Sequence, residues 1–98
     1  MTLGPAVVAI ADGLAGPGFA IAPGFLPPAL VATLAAELDG RIARGELRPA
    51  AVGAGARRAV RREIRGDLIQ WVMGEGTVAE RDALARLEAL RVALNGML

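Results

Sequence analysis

Ile64-Arg65-Gly66-Asp67-Leu68-Ile69-Gln70-Trp71 is the stretch on which the fold reading turns. Leu68 to Val72 alternates and carries β-prone residues, so it predicts a strand with Ile69 and Trp71 on one face. Gly74-Glu75-Gly76 after it is a turn. Thr77-Val78-Ala79-Glu80 then has the spacing of a capping box, in which the Thr77 hydroxyl accepts from the Glu80 backbone N–H and the Glu80 carboxylate reaches back. Leu84, Leu87, Leu90 and Leu94 mark the expected buried side of the helix that this box opens. Asp82 and Arg86 form a favourable i,i+4 pair on it, and Asn95-Gly96 is its expected stop.

Working toward the N-terminus, residues 49–63 are the least regular part of the chain, with Pro49, Gly53 and Gly55 ahead of a cluster of arginines. Before them, Leu30, Leu34, Leu38 and Ile42 recur every four residues from Ala29 onward, an apolar stripe that Gly45 and Pro49 end. Pro27 and Pro28 suit the opening of that helix, where a missing N–H costs little. Gly18 to Ala22 alternates and predicts a strand with Phe19 and Ile21 on one face, broken by Pro23-Gly24. Pro5 to Leu14 predicts a short first helix, ended by Gly13 or Gly16. The expected class is α+β, in the order helix, strand, helix, loop, strand, helix, with residues 1–98 as one region and no internal boundary.

Composition narrows the chemistry. The chain has 98 residues, 54% of them apolar and only 3% aromatic, so its core is built from Ala, Leu, Val and Ile. All 11 basic residues are arginine, and with 10 acids the net charge is +1, which points to no particular partner. There is no cysteine, hence no disulfide and no thiol nucleophile, and no histidine. Residues 1–36 carry one charge, Asp12, but glycines and prolines interrupt the apolar run and no arginine precedes it. A secretory signal and a membrane span both lack their signatures, and the expectation is a cytoplasmic protein without a membrane partner.

Candidate sites are few. Gly53-Ala54-Gly55-Ala56-Arg57-Arg58 lacks the third glycine of a dinucleotide fingerprint and the lysine of a P-loop, so it reads as a loop. Arg57, Arg58, Arg61, Arg62 and Arg65 have no interleaved aromatic for base stacking, and Glu63 and Asp67 dilute their field. A solvated arginine-rich loop is the favoured reading, and nucleic acid is not an expected partner. Arg65-Gly66-Asp67 spells the integrin-binding tripeptide but abuts a predicted strand in a chain without a signal. The acids form no convincing catalytic pair, so no catalytic residue and no metal ligand is assigned within the chain.

The resemblance of the chain is to the prolyl-4-hydroxylase-like family of 2-oxoglutarate/Fe(II)-dependent dioxygenases. Gly18-Phe19-Ala20-Ile21 through Phe25-Leu26-Pro27 resembles the family's opening strand, although Ala22-Pro23-Gly24 stands where an acidic stretch is usual. The helix from Ala29 to Arg44 with Gly45-Glu46-Leu47 resembles the long helix that follows. Residues 49–56 are similar to a glycine-rich loop of bacterial members. Arg65-Gly66-Asp67 with Ile69 and Trp71 is the most specific match, and the helix ending Leu94-Asn95-Gly96 resembles the one that leads into the catalytic barrel.

The resemblance implies the N-terminal supporting part of a double-stranded β-helix (jelly-roll) oxidoreductase, with the barrel itself absent. It implies Fe(II) and 2-oxoglutarate as cofactors, admits ascorbate, and makes a protein or peptide the expected substrate. It also implies that Arg57, Arg58, Arg65 and Asp67 face the substrate entrance. Trp71, Thr77 and Glu80 are read as structural, with Trp71 expected to pack between helix and sheet and Arg65 and Asp67 to order the strand entry by charge pairing. The family's iron is held by two histidines and a carboxylate, a triad that a chain without histidine does not supply. The partner expected on this reading is the missing barrel, or a second copy meeting the apolar helix faces. The alternative is a small non-catalytic interaction module that uses its leucine stripe or its arginine-rich loop.

Overall fold

The computed structural model of the chain describes residues 4–49, 58, 67–72 and 74–98. Among these residues, three helices and a two-stranded antiparallel sheet give an α+β arrangement: α1 (Gly4–Ala15), α2 (Pro28–Ala43), β1 (Arg48–Pro49), β2 (Leu68–Ile69) and α3 (Val78–Met97). They fall into two compact units, one of Met1–Leu34 with Met73–Leu98 and one of Ala35–Val72.

In the first unit α1 packs against α3. The core is made mostly of small side chains: Val7 and Ala11 on α1, Leu30 on α2, Ala79 and Ala83 on α3. Leu30, Ala79 and Ala83 form one cluster, with Leu26 and Leu34 half-buried against it. Burying Leu30 contributes about 1.5–3 kcal/mol, a large share for so small a core. The leucine stripe expected on α3 is only partly covered. Leu84, Leu90 and Leu94 are half-buried, Leu87 is exposed, and complete burial is confined to Ala79, Glu80 and Ala83 in the opening turns.

Glycine sets two features of this unit. A Cβ on Gly13 would lie 2.7 Å from both the Ala20 Cβ and the Phe19 carbonyl oxygen, so α1 and the segment after it approach within glycine-only distance. Gly13 therefore sits inside α1 and does not end it. At residues 22–25, Phe25 N–H donates to the Ala22 carbonyl at 3.2 Å, with Pro23 and then Gly24 (φ +74°) between them. That is the residue order of a type II turn, in which the third residue needs positive φ.

The strand expected at Gly18–Ala22 is corrected: residues 19–22 form no regular element, and Phe19 and Ile21 are 63% and 82% exposed. Alternation meets the strand's own period, but a strand also needs a neighbouring edge to pair with, and none of the described residues supplies one. Among the described residues the order is thus helix, helix, strand, strand, helix. The stop expected at Asn95-Gly96 is corrected too, because α3 continues to Met97, with the Leu98 N–H donating to the Leu94 carbonyl at 2.9 Å. Gly96 keeps an ordinary helical backbone instead of the left-handed form that would end the helix.

In the second unit, β1 pairs with β2 in the register Arg48 to Ile69 and Pro49 to Leu68. The expected strand at 68–72 is present only as Leu68–Ile69, and its partner lies where the sequence reads as loop. Pro49 lacks an N–H and so limits how far this ladder runs. α2 ends in a Schellman motif. Gly45 (φ +68°) donates to the Ile42 carbonyl at 3.0 Å, and Glu46 N–H reaches the Arg41 carbonyl at 2.9 Å. Toward that end of α2 the apolar stripe runs into solvent, with Leu38 and Ile42 at 42% and 48% exposure.

Candidate functional site

The residues expected to face a substrate are placed unequally. Arg57 and Arg65 lie outside the described residues, as does the glycine-rich segment 53–56, and with Arg65 goes its expected pairing to Asp67. Arg58 is exposed, and Asp67 is exposed immediately before β2. Of the four, Arg58 and Asp67 are therefore the two whose positions the structure describes. Trp71 follows β2 and is 68% exposed, so the expectation that it packs between helix and sheet is corrected. The two-residue ladder ends before Trp71, and among the described residues no strand pairs with its segment.

Thr77 and Glu80 are brought together at the start of α3. The Thr77 hydroxyl accepts from the Glu80 N–H at 3.1 Å, and the Thr77 N–H donates to Glu80 Oε1 at 3.0 Å. Glu80 is 4% exposed, which makes it the buried charged residue of this unit. Its carboxylate is tolerated there because it accepts a backbone N–H and sits at the positive end of the α3 dipole. This pair organises a helix start, and its chemistry is that of a cap.

Charge pairs decorate the helices. Arg86 Nε donates to Asp82 Oδ1 at 2.9 Å, the i,i+4 pair expected from the spacing. Arg91 and Glu88 form a forked pair one turn further on, with the Arg91 Nε 2.9 Å from Glu88 Oε2. A second fork joins Arg44 to Glu46 across the α2 terminus, at 3.0 Å from Nε to Oε1 and 3.1 Å from Nη2 to Oε2. The hydrogen bond from Arg44 holds the Glu46 carboxyl below its ordinary range, and that from Arg91 does the same for Glu88. The sequence reading did not find the Arg44–Glu46 fork. The signal was present in Arg44-Gly45-Glu46, since a left-handed glycine turns the chain so that its two neighbours face the same way.

Among the described residues no three His, Cys, Asp or Glu side chains converge as metal ligands, and the sequence contains no histidine at all. An Fe(II) centre of the two-histidine, one-carboxylate type does not fit the residues of this chain. No helix among the described residues is long and apolar enough to cross a membrane.

Comparison with known proteins then supplies what the side chains alone do not. The chain superimposes on the crystal structure of a prolyl-4-hydroxylase from Pseudomonas putida with a TM-score of 0.79 and 42% sequence identity. The match covers 94% of this chain and 47% of that one. The chain belongs to the prolyl-4-hydroxylase-like family, and it spans about half the length of the relative it matches. No family model matches it, and neither does any curated protein.

Proposed function

We propose that this chain is the N-terminal supporting part of a 2-oxoglutarate/Fe(II)-dependent dioxygenase of the prolyl-4-hydroxylase type. The observation that carries the reading is the 42% identity over 94% of the chain against 47% of a prolyl-4-hydroxylase, in a sequence with no histidine. On this reading the iron and 2-oxoglutarate sites belong to a jelly-roll half that this chain does not contain. When bound, the iron would activate dioxygen for oxidation of a C–H bond in a prolyl or related side chain of a protein or peptide. The residues described here would brace that half and hold the segment around Asp67 beside it. They would supply no metal ligand. A cytoplasmic location goes with the same reading.

The test is to read the coding region on both sides of this sequence and to express what it encodes. An adjoining in-frame segment with His-x-Asp and a distal histidine, giving Fe(II)-dependent decarboxylation of 2-oxoglutarate, is the expected result. A gene that encodes these 98 residues alone would overturn it.

A second reading, a non-catalytic interaction module, is favoured by one observation: Leu38 and Ile42 on α2 are exposed apolar residues on the stripe that continues from Leu30. Such a module would hold its partner with little sensitivity to salt, whereas binding through the arginines would weaken steeply as salt rises. Titrating a captured partner between low and high ionic strength separates the two.

A further inference from the structure

We draw no further inference here: the strongest candidate, the exposed apolar residues Leu68, Trp71 and Val72 on and just after β2, carries nothing because nothing in the structure shows what covers them beyond the jelly-roll half already proposed.

Discussion

Single residues carry more of this structure than their size suggests, and Gly13 is the clearest instance. Alanine is ordinarily better than glycine in a helix by about 1 kcal/mol. At Gly13 the added methyl meets a backbone oxygen and another methyl at 2.7 Å, and backbone does not yield as a flexible side chain does. Gly13→Ala is expected to destabilise the chain by about 1–3 kcal/mol in chemical denaturation. Gly96→Ala serves as its control, because a Cβ there meets nothing within 4 Å, and it should be neutral or stabilising by up to about 1 kcal/mol. Equal effects from the two would refute the close approach of α1 to Ala20. Thr77→Ala removes one half of the cap and should cost about 1 kcal/mol, while Glu80→Gln, which preserves the reach-back geometry, should cost less. Urea melts of the two variants side by side would show that order, or reverse it and discard the reciprocal cap.

At the scale of elements, what could be read in advance was whatever local chemistry decides. All three helices were legible because proline openings, four-residue apolar spacing and the Thr77–Glu80 box act within a few residues of the chain. The sheet was not, since pairing Arg48-Pro49 with Leu68-Ile69 joins segments about twenty positions apart, and no short-range pattern encodes that choice. Phe19 and Ile21 make the same point from the other side, having the alternation of a strand and no partner. Of the candidate site, the cap was legible, and the Arg57–Asp67 grouping rested on likeness to relatives instead of on any local rule.

Gly45→Ala forces a side chain into φ +68° at the α2 terminus and should cost about 1 kcal/mol or more, measured by denaturant midpoint. The depressed Glu46 and Glu88 carboxyls favour the folded form above their unfolded pKa, and this contribution fades as pH falls through their lowered folded values. Both pairs are well exposed, so the effect is small and should vanish in high salt. Thermal melts from pH 7 to pH 3, at low and high ionic strength, would reveal a salt-insensitive loss if that account were mistaken.

Much of the apolar surface of the described residues is uncovered. Val8, Val31, Leu38, Ile42, Leu68, Trp71, Val72 and Val92 are all exposed, and the buried set amounts to five hydrophobic residues and one glutamate among those described. Protein surfaces always carry some apolar atoms, but large exposed apolar areas mark contact sites or aggregation. The isolated 98 residues are expected to gain apparent mass with concentration in light scattering and to bind ANS. Ile42→Glu should reduce both while changing stability by no more than about 0.5 kcal/mol, as is usual for an exposed position. A compact mass independent of concentration, with no ANS signal, would count against the lost-half reading at this level.

The core of Val7, Ala11, Leu30, Ala79 and Ala83 also has a heritable side. An alanine codon changed at one base can become valine, threonine, proline, aspartate, glutamate, serine or glycine. Only glycine is no larger, at a cost to the helix, and the others bring bulk, a buried hydroxyl, charge or a broken helix into a space sized for a methyl group. Ala11, Ala79 and Ala83 are therefore places where drift has very few steps open to it, although none of them touches any chemistry.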